Sequence, residues 1–97
     1  MSHEIYCSQG RVCAEIDVLK IDVEDKDGGK VKITLKNRTG DTSLIQIHLQ
    51  VIGADGDILT ETKPENFTLP PTQEKIYQMP GVARKNSHVR VFLNLAY

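Results

Sequence analysis

Lys30-Val31-Lys32-Ile33-Thr34-Leu35-Lys36 alternates polar and aliphatic residues without a slip. Successive side chains of an extended strand point to opposite faces. This period of two therefore predicts a strand with Val31, Ile33 and Leu35 inside and the lysines and Thr34 in water. Ile45-Gln46-Ile47-His48-Leu49-Gln50-Val51 repeats the pattern, with Ile45, Ile47, Leu49 and Val51 inward. His88 to Tyr97 carries it to the last residue, with Val89, Val91, Leu93, Leu95 and Tyr97 as its inward set. Long strands of the antiparallel type, each with one wet face, are expected at all of these places.

Upstream the pattern breaks phase. Val12, Ala14, Ile16 and Val18 share one phase, and Leu19, Ile21 and Val23 share the other. One extra residue near Val18-Leu19 restores a single face, which is what a β-bulge supplies. Val12, Ile16, Leu19 and Val23 also recur at helical spacing, so a helix competes over residues 12–23. Abundant β-branched residues and the lack of a clear helix cap favour the bulged strand.

Turn chemistry sets the spacing. Asp25-Lys26-Asp27-Gly28-Gly29 leads into Lys30, and Asn37-Arg38-Thr39-Gly40-Asp41 separates the next two strands. Asp55-Gly56 is a hairpin signal, so Ile58 to Thr62 should turn back as a short strand. Pro64, Pro70, Pro71 and Pro80 confine the middle of the chain to edge strands and loops, with room for one strand over Lys75–Met79. With a short strand around Ile5, about seven strands at regular spacing predict an all-β sandwich or barrel. A single domain over residues 1–97 is expected, with residues 1–10 a candidate exchangeable N-terminal strand.

Composition excludes several classes of function. The chain has 97 residues, 39% hydrophobic and 26% charged, with a formal net charge of -1. Nucleic-acid binding normally needs a strong basic excess, so no nucleic-acid partner is expected. The hydrophobic fraction is too high for a disordered chain. Apolar runs are too short for a spanning helix, so no membrane insertion is expected, and no apolar stretch after Met1 reads as a secretory signal. The charge is unevenly spread: residues 1–30 hold seven acids against four bases, whereas residues 80–97 hold Arg84, Lys85 and Arg90 and no acid. Opposite ends of different copies could attract each other head to tail; the competing expectation is plain solvated surface.

The run Val31-Lys32-Ile33-Thr34-Leu35-Lys36-Asn37-Arg38-Thr39-Gly40 resembles the second strand and turn of immunoglobulin-like bacterial and archaeal domains. It is followed by Ile45 to Val51, the Ala54-Asp55-Gly56-Asp57 turn and Phe67-Thr68-Leu69-Pro70-Pro71, an order similar to the FxLYD and fibronectin-type-III-like group. The likeness covers about half of the chain. It departs from the pattern at Leu49-Gln50-Val51-Ile52-Gly53, where an aromatic-rich stretch is expected, and at Thr72, where a glycine is expected. The resemblance implies an immunoglobulin-like antiparallel β-sandwich serving as an adhesive or scaffolding module. It carries no catalytic residue with it.

Few residues carry chemistry. Cys7 and Cys13 flank a loop short enough for a hairpin-closing disulfide and are equally consistent with two buried thiols. His3, Cys7 and Cys13 match no zinc spacing, while His48 and His88 sit on outward phases of two strands and could be cross-strand neighbours. Asp25-Lys26-Asp27-Gly28 and Asp55-Gly56-Asp57 lack the full ligand run of a calcium loop and read as turns. Ser87 and Ser43 fall on the opposite strand face from His88 and His48, so no nucleophile–base pair forms. No cofactor and no enzyme activity are expected. Asn37-Arg38-Thr39 and Asn66-Phe67-Thr68 are sequons, both placed in turns as exposed acceptors. Phe92 is a large apolar residue on a polar strand face, and contact with Ile52 or Tyr77 would seed an apolar patch.

The expected function is a non-enzymatic structural or adhesive module that contacts a protein partner or itself, such as a self-assembling subunit of a surface, filament or virion assembly. Ile5, Phe92, Arg84, Lys85 and Arg90 are the candidate interface residues. The alternative is a stand-alone intracellular inhibitor or adaptor docking through an edge strand or loop. An extracellular or virion surface is narrowly favoured over the cytoplasm.

Overall fold

The computed structural model describes residues 3–7 and 10–95, apart from the side chain of Arg11. Tyr97, expected to close the inward face of the last strand, lies outside the described residues. In chain order the elements are β1 (Glu4–Cys7), α1 (Gly10–Glu15), β2 (Ile16–Val23), β3 (Gly29–Asn37), β4 (Ser43–Ile52), β5 (Ile58–Glu61), β6 (Glu65–Leu69), β7 (Glu74–Ala83) and β8 (His88–Leu95). One sheet runs β1-β8-β4-β5, with β6 also pairing β4, and the other runs β2-β3-β7.

The alternating stretches become β3, β4 and β8, and their inward residues Ile33, Leu35, Ile47, Leu49, Val91 and Leu93 are at most 1% exposed. Residues of both sheets meet in one apolar cluster that also takes in Val12 of α1. Burial of this aliphatic area is the main favourable term in folding.

Residues 12–23 combine the two competing expectations. Residues 10–15 form helix α1, which corrects the expected continuous strand, and the strand begins only at Ile16. The compact run agrees with the link between Cys7 and Cys13, whose Cα atoms lie 5.9 Å apart. An extended six-residue run would separate them by about 20 Å. Within β2 the register with β3 shifts between Val18 and Lys20, leaving Leu19 as the extra, unpaired residue. Leu19 is half exposed, while Val18, Ile21 and Val23 turn together toward the core.

The expectation of purely antiparallel sheets is also corrected. β1 pairs β8 in parallel, from Glu4↔Arg90 to Cys7↔Leu93. Parallel neighbours need a long crossover, and here every element from α1 to β7 lies between the two strands. The prolines fall where a missing N–H is tolerated. Pro64 follows β5, and β6 fits between Pro64 and Pro70. Pro80 sits in edge strand β7, at the register shift between Gly29↔Ala83 and Val31↔Met79. The far edge of β4 is divided between β6, opposite Ser43–Ile47, and β5, opposite Gln50–Ile52. Between them Thr62 stands in for a strand residue: Leu49 N–H donates to its Oγ1 at 2.9 Å, and its own N–H donates to Leu49 C=O at 3.0 Å.

Two turns lock one end of the molecule. Asp27 Oδ1 accepts the N–H of Lys85 at 3.0 Å and Asp25 Oδ1 accepts that of Asn86 at 2.9 Å. Gly28 N–H donates to Ala83 C=O at 2.9 Å. Gly29 tolerates no side chain here, because a Cβ would lie 2.7 Å from Glu24 Cβ and 2.9 Å from its carbonyl oxygen.

Candidate functional site

The residues singled out from the sequence divide between two places. Ile5, Phe92 and Arg90 come together along β1 and its partner β8, whereas Arg84 and Lys85 lie in the β7–β8 turn. Arg84 Nη1 donates to the carbonyl of Ala83 at 3.0 Å, and Lys85 contributes its backbone N–H to Asp27. The acidic turn after β2 and the basic turn before β8 thus meet within one copy. The contacts between them are backbone N–H groups on carboxylates, and the Arg84 guanidinium is bonded to backbone carbonyls.

The outward residues of β1, β8 and β4 form a strip of aromatic rings. Cross-strand register places Phe92 opposite both Tyr6 and His48. Tyr6 and Phe92 stack at 5.2 Å between centroids, and His48 and Phe92 stack at 4.5 Å with nearly parallel rings. Offset stacking of this kind adds about 0.5–1.5 kcal/mol per pair beyond area burial. The neighbours expected for Phe92 were Ile52 and Tyr77, and neither is there. Ile52 is buried opposite His88, and Tyr77 is buried and packs edge-on against Phe67 at 5.7 Å. Burial first, with the Glu65 carboxylate second, pushes the Tyr77 hydroxyl up to about 12.

Beside the rings lies a small polar cluster. Glu4 accepts a hydrogen bond from the Tyr6 hydroxyl. His88 Nε2 lies 3.3 Å from Glu4 Oε1, and Arg90 Nε lies 3.6 Å from Glu4 Oε2. The Tyr6 hydroxyl holds the Glu4 carboxyl below its ordinary value, against partial desolvation and with help from Arg90 and His88. The same bond raises Tyr6. His3 Nδ1 accepts the Val89 N–H at 3.1 Å, so its neutral form is the one that fits. Desolvation, then the nearby His88, lowers its pKa. His48 and His88 are not cross-strand partners, since they sit opposite Phe92 and Ile52.

On its inner side β1 leaves a groove of about 250 Å³ between the two sheets, lined by Ile5, Cys7, Cys13, Ile16, Val18 and Leu93. Cys7 and Cys13 are joined in a disulfide across one end of it. Ile5 and Tyr6 are 44% and 43% exposed, on opposite faces of the strand. The only strand paired with β1 is β8, so its outer backbone edge is unpaired among the described residues.

Among the described residues no group of three or more His, Cys, Asp or Glu side chains is placed to hold a metal. No described helix is long and apolar enough to cross a membrane. Asn37 corrects one sequon. It ends β3 fully buried, with Nδ2 donating to Asp41 C=O at 2.7 Å and Leu69 C=O at 3.1 Å. Its Oδ1 accepts the Thr39 N–H at 2.9 Å, so this amide plugs the β3–β4 turn and is no exposed acceptor. Asn66 is exposed, but on β6 and not in a turn.

Tyr6 was not among the residues singled out from the sequence, and His48 was singled out only as a neighbour of His88. Their outward phases are legible, but only the pairing register shows that both rings meet Phe92.

No protein-family model matches this sequence, and no curated protein gives a significant match. Among solved structures, the crystal structure of Campylobacter jejuni cj0090 is similar, with a TM-score of 0.67 at 11% identity over 97% of this chain and 99% of that one. The likeness is one of fold.

Proposed function

We propose that the protein is a non-enzymatic interaction module of the immunoglobulin-like type that associates with a second copy of itself through the β1 edge. The sheet order supports the type: β2-β3-β7 faces β5-β4-β8, as strands A-B-E face C-F in such sandwiches. The place beside β8, where the last strand of that fold lies, is taken by β1. The observation that carries the function is the outer edge of β1, unpaired among the described residues and flanked by exposed Ile5 and Tyr6. An exposed strand edge is a template for further strand pairing. A second copy offers the same edge, so two β1 strands can pair about a two-fold axis. With four residues in β1, the contact is small, and small contacts are weak and reversible.

Sedimentation equilibrium tests this on the intact chain, on Ile5→Lys, and on a chain lacking residues 1–9 with Cys13→Ser. Dimerisation that rises with concentration and weakens in both variants is expected. A monomer at millimolar concentration, unchanged by either alteration, overturns the proposal.

A further inference from the structure

We infer that Cys7–Cys13 is a reversible thiol–disulfide site that controls whether β1 stays docked on β8. No residue of β1 is buried, and its main contacts are with β8 and α1. What holds it is the four-residue ladder to β8, the Tyr6–Phe92 stack, the pairing of Glu4 with His88 and Arg90, and the disulfide. Partly exposed ion pairs contribute little, and four ladder residues at a sheet edge fray readily. The disulfide is of a different kind. It ties the last residue of β1 to the helix whose Val12 is fully buried in the core, so the Cys7 end of β1 is held close to its place on β8 while the bond is intact. Closing so short a loop restricts the freed strand enough to matter by tenfold or more, on the order of the known disulfide effect.

The two cysteines are unequally exposed: Cys13 is exposed, and Cys7 is half-buried against the core. A dithiol reductant is the partner this arrangement fits. Its thiolate attacks Cys13 Sγ, the disulfide breaks, and Cys7 Sγ leaves as a thiolate that takes up a proton. The second thiol of the reductant then attacks its own sulfur in the mixed disulfide and releases Cys13 as a thiolate, which is protonated in turn. Two electrons and two protons pass to the protein, and the dithiol becomes a cyclic disulfide. With the tether gone, residues 4–7 leave β8 and uncover both its edge and the groove formerly flanked by Ile5.

This inference concerns the monomer and does not rest on self-association, so it is tested at dilution where the chain is monomeric. Amide hydrogen exchange is followed for residues 5–7 and for the β3 and β4 core, in the oxidised protein, after full reduction with a dithiol, and in the Cys7→Ser/Cys13→Ser variant. A mass gain of two hydrogens establishes reduction. Exchange in β1 is expected to quicken at least about tenfold on reduction and in the variant, with Ile33 and Ile47 unchanged. Unchanged β1 exchange in the reduced chain overturns the inference. So does equal acceleration of β1 and the core, which would make the bond a global staple. If the double variant fails to fold, the reduced wild-type chain still decides.

Discussion

Asn37 shows how one side chain can hold a turn. Its amide serves two carbonyls and the Thr39 N–H from a fully buried position, where unpaired polar groups are expensive. Asn37→Ala strands the carbonyls of Asp41 and Leu69 and is expected to lower stability by about 1–3 kcal/mol, as read from urea denaturation midpoints. Asn37→Asp should not rescue it, because a carboxylate cannot donate. Titration at the start of the chain has a definite sign. Glu4 is depressed from 4.5, so its support for β1 is full above that value and is lost as pH falls through the lowered one. His3, a base depressed from 6.5, likewise supports the fold fully above 6.5 and less as acidity protonates it against Val89 N–H and beside His88. Both effects run the same way, and the groups facing them include His88, Arg90 and Asp25. Docking of β1 should therefore weaken in two stages below neutral pH, visible in the β1 and Val89 amide signals by NMR. His3→Gln is expected to remove the upper stage and leave the lower one.

Among the elements, α1 is the one whose role is least visible from sequence. Val12 is its fully buried residue, and Val12→Ala should cost about 1.5–3 kcal/mol in a thermal or urea melt. A far smaller loss would mean that the helix is only a connector. The strands β3, β4 and β8 were legible because one wet face and one buried face impose a period of two, and the Leu19 bulge was legible as a break in that period. The start of β2 was not, because Val12 and Ile16 satisfy both strand and helix spacing. The close approach of Cys7 and Cys13 goes with the helix, and that approach is not written in the spacing. The direction of β1 was hidden for a related reason: alternation fixes which residues face inward but not which way a neighbour runs. The aromatic strip needed the same missing register, and the burial of Asn37 could not be told from an ordinary turn asparagine.

At the scale of the whole molecule, the parallel pairing of β1 with β8 decides how the protein bears a load. His3 lies beside Val89 at the start of β8, and Leu95 ends that strand, so the two ends of the described fold leave from opposite ends of β8. A pull on these ends drags two parallel strands past each other. The bonds from Glu4↔Arg90 to Cys7↔Leu93 are then loaded together in shear. A pull between residues 3 and 88, at one pole, opens the same bonds one after another. Single-molecule stretching with handles at residues 3 and 95 should give a clearly higher rupture force than handles at 3 and 88, and equal forces would refute the shear geometry. Peeling from residue 3 also ends at Cys7, where the disulfide passes tension straight to α1 and the core. A module built this way resists tension along its length while its flank stays easy to open.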